Sequence, residues 1–155
     1  MITRRARPED AEAMAALLND IIAIGGTTAH QHPKSVEAVG VDYIDGPEVQ
    51  TSVVAEDGGR IIGWQSISLY QGESHIGTFV QPGIQARGVG AALFALTREQ
   101  AQGAGITRIA ATIRADNAPG LAYYARIGFR DTGSDPDFAL DDGRVVGRIH
   151  RHLDL

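Results

Sequence analysis

Apolar residues recur with helical spacing at the start of the chain. After a short strand-like run at residues 2–6, a proline and two acidic residues at positions 8–10 are typical of the first turn of a helix. The apolar side chains that follow are three or four positions apart, as on one helix face: Met14, Leu17, Leu18, Ile21 and Ile22. Two glycines at 25–26 end this helix. Ser35 then opens a second, shorter helix, with Val36, Val39 and Tyr43 on one side.

Three β-branched runs occupy the middle of the chain, at residues 49–55, 61–69 and 74–80. The first two are joined by an acidic, glycine-rich turn, and a short turn containing Gly72 joins the second to the third. The spacing predicts an antiparallel meander of three strands.

The second half alternates helices and strands. A helix ending at Gly103 has an inward stripe of Val89, Ala92, Leu93 and Leu96 and a solvent side of Thr97, Arg98, Glu99, Gln100 and Gln102. A strand at 106–113 follows, so a parallel pair with a right-handed crossover is expected. A helix at 119–127, a strand from Phe129 and a hairpin of 138–140 with 144–153 complete the chain. The predicted fold class is α/β, with an α+β mixed sheet in the order β-α-α-β-β-β-α-β-α-β-β.

Composition narrows the class of protein. At 155 residues, with 43% hydrophobic and 21% charged residues, the chain is expected to form one domain, residues 1–155. Neither a membrane span nor a signal peptide is predicted, so a cytoplasmic location is expected. A net charge of −5 argues against a nucleic-acid partner. Without cysteine, acyl transfer must use another nucleophile or pass directly to the acceptor.

A glycine-bearing turn at residues 85–90 follows the third strand of the meander and opens the central helix. Free amides and the dipole at a helix start favour a phosphate group. Gly88 and Gly90 leave room for it, and Arg87 adds a charged donor. A dinucleotide fingerprint fits poorly because its sixth position is Leu93. A P-loop is excluded because the only lysine, Lys34, lies in another loop.

What remains is the pattern Gln/Arg-x-x-Gly-x-Gly/Ala, and residues 85–90 resemble the acyl-CoA pyrophosphate loop of the GNAT N-acetyltransferase superfamily. Residues 117–129 are similar to a second GNAT signature, in which an Asn precedes a short helix that carries a Tyr and ends at Gly-Phe. With the order of elements, the resemblance covers nearly the whole chain and implies the GNAT fold with a splayed central sheet. The loop containing Thr27 and Thr28 resembles the phosphinothricin-acetyltransferase-like branch.

The resemblance implies acetyl-CoA as co-substrate and a small amine, such as an amino acid or analogue, as acceptor. No metal is expected, because neither histidine pair, at 30 and 32 or at 150 and 152, has further ligands at a known spacing nearby. Asn117 would bind pantetheine or carbonyl groups, and amides near Thr78, Phe79 and Val80 would bind pantetheine and the oxyanion. The remaining cofactor residues would be Gln85, Ala86, Arg87, Gly88, Val89, Gly90 and Ala91. Tyr124, four residues before Gly128, would protonate the leaving thiolate. Tyr123 is the neighbouring alternative, and only one of the two rings is expected to face the cleft; a purely structural tyrosine is the other interpretation of Tyr124.

The general base is less clear from the sequence. His75 stands where relatives of this branch carry a carboxylate, and Glu73 is the nearby substitute, although a surface histidine without a role is equally open. Thr28 and His30 are candidates for the acceptor pocket. Acetylation of a protein N-terminus or lysine, and a non-catalytic acyl-CoA sensor, are alternatives to the small-molecule enzyme. A homodimer is a further prediction.

Overall fold

The computed structural model describes residues 1–84 and 87–155. Its order of elements confirms the predicted one, with one added 3-10 turn at Pro8–Asp10. The strands are β1 (Ile2–Arg5), β2 (Val49–Asp57), β3 (Arg60–Tyr70), β4 (Glu73–Val80), β5 (Arg108–Arg114), β6 (Arg130–Asp135) and β7 (Arg148–Asp154). The helices are α1 (Ala11–Ile24), α2 (Val36–Tyr43), α3 (Val89–Gly103) and α4 (Ala118–Arg126).

The seven strands form one sheet in the order β1-β2-β3-β4-β5-β7-β6. The meander β2-β3-β4 is antiparallel, as predicted, and the β3–β4 ladder runs through eight pairs without a register shift. The predicted parallel pair is β4 with β5, but it is registered at a single position, His75 opposite Ala110. Beyond that point the two strands diverge, so the sheet splays towards Val80 and Arg114.

Helices cover both faces of the sheet. One apolar cluster joins α1 and α2 to the sheet and contains Met14, Leu18, Val39, Trp64 and Phe79. A second joins α3 and α4 to it and contains Phe94, Ile109, Ile113, Tyr124 and Phe129, and a smaller third cluster packs α3 on β2. Because side chains alternate along a strand, β4 contributes Ile76 to the second cluster and Phe79 to the first.

Two expectations about helix faces are wrong. Thr97, predicted on the solvent side of α3, is fully buried, because it lies four residues after Leu93 in the row that α3 packs against β2 and β3. Val36, expected on the buried side of α2, is 44% exposed, whereas Val39 is fully buried.

The predicted terminal hairpin is also different in detail. The long strand β7 pairs with β6, not with residues 138–140. A single bridge, Ala139 opposite Val145, and the hydrogen bond from Leu140 N–H to the Arg144 carbonyl close the turn at 141–143. The turn at 141–143 was therefore predicted correctly, but it lies in the long connection between β6 and β7. Among the described residues, no helix is both long and apolar enough to span a membrane.

Candidate active site

The divergence of β4 and β5 leaves part of the β4 main chain without a strand partner. Gln81 N–H donates to the Ile62 carbonyl at 2.9 Å. Because the main-chain N–H and C=O groups of successive residues point alternately towards and away from a partner strand, this bond shows which residues of β4 face β3. The main-chain groups of Thr78 and Val80 therefore turn away from β3, towards the opening. The main-chain groups of Phe79, which was also expected to bind pantetheine, point towards β3 instead. The amides arise from a splay, since the β3–β4 ladder contains no bulge.

The start of α3 borders this opening with amides that have no hydrogen-bond partner among residues 1–84 and 87–155. Gly88 is the N-cap with φ 78° and ψ 13°, a left-handed conformation that suits glycine, and it offers no side-chain cap. The first helical bond is from Ala92 N–H to the Gly88 carbonyl at 3.1 Å. The amides of Val89, Gly90 and Ala91 therefore have no partner within the helix. Arg87 is exposed beside them, whereas the predicted binding residues Gln85 and Ala86 lie outside the described residues.

Gly90 has a packing role that the sequence did not reveal. A Cβ added at this position would lie 2.6 Å from Cε1 of Tyr123, so only glycine allows the ring to sit against the first turn of α3. The Tyr123 hydroxyl donates to the Gly90 carbonyl at 2.8 Å. Tyr123 thus attaches α4 to the phosphate-loop end of α3.

Both tyrosine hydroxyls reach the same polar cluster, so the expectation that only one ring faces inward is wrong. The Tyr124 hydroxyl lies 2.8 Å from Thr78 Oγ1, on the strand that borders the opening. Gln65 Nε2 donates to Thr78 Oγ1 at 2.8 Å and to the Tyr123 hydroxyl at 3.0 Å. The two rings meet edge to face, with 5.0 Å between their centroids. Gln65 itself is fully buried.

Burial controls the acidity of these phenols. It raises the pKa of Tyr123 to about 12, against the smaller opposing effect of the nearby Gln65 and Thr78 side chains. Burial also raises the pKa of Tyr124, and its hydrogen bond with Thr78 opposes this. Both side chains therefore carry their protons at neutral pH, as a general acid must.

Asn117 connects the start of α4 to the loop between α1 and α2. As N-cap of α4, its Oδ1 accepts from Gly120 N–H at 3.0 Å. Its Nδ2 donates to the Thr27 carbonyl at 2.9 Å. One Nδ2 proton remains for a cofactor, so the predicted binding role and this structural role are compatible.

The loop between α1 and α2 is held from the end of β5 as well. Arg114, whose side chain is 4% exposed, is paired with Asp116 and donates to the Thr28 carbonyl at 3.1 Å. Thr28 is buried, and its Oγ1 accepts from His30 N–H. The Thr28 hydroxyl therefore shapes the loop from inside rather than facing a pocket.

His30, the other predicted acceptor residue, lies on the α1–α2 face of the sheet. Its Nε2 is 2.6 Å from the Tyr43 hydroxyl, and its ring is 6.3 Å from that of Phe79. Burial, assisted by the charge of Lys34, lowers its pKa, so the imidazole is neutral at pH 7.

His75 and Glu73 lie on the same face, at the closed end of the splay. His75 Nε2 is 3.6 Å from one Glu73 oxygen, and His152 Nε2 is 3.1 Å from the other. Burial lowers the pKa of His75, Glu73 raises it, and His150 and His152 lower it further. Thr78 lies three positions after His75, about 10 Å along the strand, so a chain of water molecules would have to link His75 to the reacting centre.

Within residues 1–84 and 87–155, no group of three His, Cys, Asp or Glu side chains could hold a metal ion. The main residues that sequence reasoning missed are Gln65 and Arg114. For Gln65, the available signal was a polar residue inside a β-branched run that was expected to be buried. A polar side chain in such a place usually has a hydrogen-bond partner.

The sequence matches the family model described as "Acetyltransferase (GNAT) family" over residues 15–129. The chain belongs to the GNAT acetyltransferase family. The match spans both predicted motifs, the loop before α3 and the segment that leads into α4.

Relatives of this GNAT chain differ in the acceptors that their names state. "Putative phosphinothricin acetyltransferase YwnH" of Bacillus subtilis (strain 168) is 28% identical over 160 residues, covering 96% of this chain and 98% of its own. A phosphinothricin acetyltransferase from Sinorhizobium meliloti, solved in complex with acetyl-CoA, shares the fold with TM-score 0.83 and 19% identity, covering 99% of this chain and 87% of that one. A ribosomal-protein-alanine N-acetyltransferase from Brucella melitensis matches with TM-score 0.85 and 22% identity over the full length of both chains.

Proposed function

We propose that this protein transfers the acetyl group of acetyl-CoA directly to the primary amine of a small molecule, an amino acid or an analogue. The observation that carries the proposal is the position of the Tyr124 hydroxyl, 2.8 Å from Thr78 on the strand that borders the splay. A thioester placed along that strand would have its sulfur near this phenol. Residues 1–155 would act as one catalytic domain.

The diphosphate of acetyl-CoA would be bound by the free amides of Val89, Gly90 and Ala91, with Arg87 as an exposed cation beside them. The pantetheine arm would lie in the opening as a surrogate strand, paired with the main chain of Thr78 and Val80. One of these amides would also donate to the thioester oxygen as it becomes an oxyanion. Asn117 would contribute its remaining Nδ2 proton to the arm.

The amine nitrogen would attack the acetyl carbonyl carbon to form a tetrahedral intermediate, and the carbon–sulfur bond would then break. Tyr124 would give its proton to the leaving thiolate and recover one from solvent. The amine proton would pass to His75 through water, with Glu73 as the alternative base. Direct transfer is consistent with a sequence that contains no cysteine.

The acceptor would lie on the α1–α2 face, below the loop that carries His30. The name of the Bacillus relative favours a small amino-acid analogue. The name of the Brucella structure favours instead a protein N-terminus as a second candidate. Arg114 and Asn117 both fix the loop at residues 27–28, and a closed loop of this kind suits a small acceptor better than an open peptide groove.

Replacing Tyr124 with Phe tests the proposed acid. We expect kcat to fall about 100-fold, the usual contribution of a general acid, while KM for acetyl-CoA stays within twofold. Free-thiol release from acetyl-CoA gives both constants. Tyr123→Phe is the matched control: its proton is held by Gly90, so kcat should change much less. Wild-type kcat in Tyr124→Phe would remove Tyr124 from the mechanism.

The acceptor class is tested by the same assay over a panel of amino acids, phosphinothricin, and peptides with a free N-terminal alanine or an internal lysine. Release with small amino compounds supports the proposal. Release with peptides alone would favour the protein acetyltransferase, and acetyl-CoA binding without release from any amine would indicate a sensor. The homodimer and the cytoplasmic location expected from the sequence stay predictions.

A further inference from the structure

A buried chain of hydrogen bonds connects the two tyrosines through Gln65 and Thr78, and its donors can be assigned by counting protons. A carbonyl only accepts, so the single Tyr123 proton is committed to Gly90. Tyr123 must therefore be the acceptor in its contact with Gln65, whose Nε2 carries two protons.

The orientation of the Gln65 amide follows from the same count. With Nε2 towards the hydroxyls, both of its protons are used, on Thr78 and on Tyr123, and only the buried Oε1 is without a partner among the described atoms. If the amide were reversed, Tyr123 would have one proton for two acceptors, and both Nε2 protons would be left unpaired in the core. The observed orientation satisfies more groups.

Gln65 thereby favours one direction for the next bond, because the Thr78 proton has no other hydrogen-bond acceptor among the described residues. Thr78 Oγ1 accepts from Gln65, so the single Thr78 proton is free for the Tyr124 oxygen 2.8 Å away. If Thr78 donates to Tyr124, the Tyr124 proton is in turn free to point into the opening between β4 and β5.

We propose that Thr78 is a positioning residue: its hydroxyl, oriented by Gln65, donates to the Tyr124 oxygen and directs the Tyr124 proton towards the leaving sulfur. This inference rests on the proposed function, in which Tyr124 is the general acid. When the proton moves to sulfur, the negative charge remains on the Tyr124 oxygen. That charge forms in a buried site, where it is unfavourable without a donor.

The same count of hydroxyl protons assigns different roles to Tyr123 and Tyr124. Tyr123 cannot give up its proton without breaking its bond to Gly90, so it holds α3 and α4 together. Tyr124 has the proton that the chain leaves uncommitted. A structural role for Thr78 alone would predict no dependence on which residue occupies position 124.

The test is a double-mutant cycle of Thr78→Val and Tyr124→Phe, with kcat and KM for acetyl-CoA measured by thiol release on the best amine of the panel. Valine keeps the shape of threonine and removes the hydroxyl. We expect Thr78→Val to lower kcat about five- to tenfold, the contribution of one hydrogen bond, with KM for acetyl-CoA within twofold. Thr78→Ser, which retains the hydroxyl, should recover most of the rate.

In the Tyr124→Phe background, Thr78→Val should cause no further loss, because the hydroxyl then has no oxygen to support. An equal loss in both backgrounds, or wild-type kcat in Thr78→Val, would overturn the inference. Thr78→Ala, measured in the same two backgrounds, repeats the cycle if the valine variant does not fold.

Different results would contradict the role of Thr78 and the proposed function. If Tyr124→Phe is slow and Thr78→Val is unaffected, the acid stands and the role of Thr78 is wrong. If Tyr124→Phe retains wild-type kcat, or if no amine releases thiol, the proposed function fails and the inference fails with it.

Discussion

At the scale of single residues, His75 and Glu73 are the two candidates for the base, and the pH dependence of kcat distinguishes them. A base must be unprotonated, so with His75 as base kcat should rise with pH to a plateau. Burial lowers the pKa of His75 below 6.5, against the opposing charge of Glu73, which places the rise on the acid side of that value. Rates at saturating amine and acetyl-CoA between pH 5 and 8 measure it.

Glu73→Gln is the informative variant for this choice. The Glu73 carboxylate favours the imidazolium, so its removal should lower the pKa of His75 and move the rise in kcat to lower pH, with the plateau retained. His75→Gln should lower the plateau and remove this part of the profile. Loss of the plateau in Glu73→Gln, with His75→Gln unaffected, would make Glu73 the base. His150 and His152 are left unchanged throughout, since their charges also act on His75.

The positions of candidate site residues were predictable from the sequence only where a motif fixed them. Tyr124 was singled out by its distance from Gly128, and it does lie beside the opening. The contacts of Tyr123 with Gly90 and of Gln65 with Thr78 join residues more than ten positions apart, so no local pattern could reveal them. The space needed at Gly90 is set by the ring of Tyr123, not only by an incoming phosphate.

At the scale of elements, Asn117 should have two separable effects, on α4 and on the loop between α1 and α2. Asn117→Ala removes the cap of α4, which costs about 1 kcal/mol, and should lower Tm by about 2–4 °C in a chain of this size. It also removes the donor to Thr27, so KM for the amine should rise. Thermal unfolding and acceptor kinetics measure the two effects.

Asn117→Asp is the matched control for that prediction. A carboxylate can still accept from Gly120 and suits a helix N-terminus, so Tm should be retained. The donor to Thr27 is lost in this variant too, so KM for the amine should rise as in Asn117→Ala. A KM equal to wild type in both variants would contradict the role of Asn117 in holding the loop.

Helix and strand positions followed from local periodicity, whereas faces and partners needed tertiary context. The prediction that Ser35 caps α2 is confirmed, since its hydroxyl accepts from Ala38 N–H at 3.1 Å. Thr97 was assigned to the solvent side because of its polarity, yet the helical spacing from Val89 and Leu93 places it against the sheet. The turn at 141–143 was identified correctly, but the partner of β7 depends on the distant strand β6.

At the scale of the whole molecule, the decisive feature is where the sheet opens. The sequence predicted β4 and β5 as a parallel pair, and the family resemblance implied a splay. Its extent, with a single registered pair at His75 and Ala110, depends on how the two halves of the sheet pack against four helices. Such long-range packing leaves no signature in local sequence.

The splay and the free amides of α3 together lead to the central claim, that this molecule binds acetyl-CoA along β4. Equilibrium dialysis of the purified protein with radiolabelled acetyl-CoA tests it most directly. We expect saturable binding of one molecule per chain, weakened by excess unlabelled coenzyme A and much less by S-acetylpantetheine, which lacks the diphosphate proposed to bind the amides of Val89, Gly90 and Ala91. An absence of saturable binding, or equal competition by both compounds, would contradict the account.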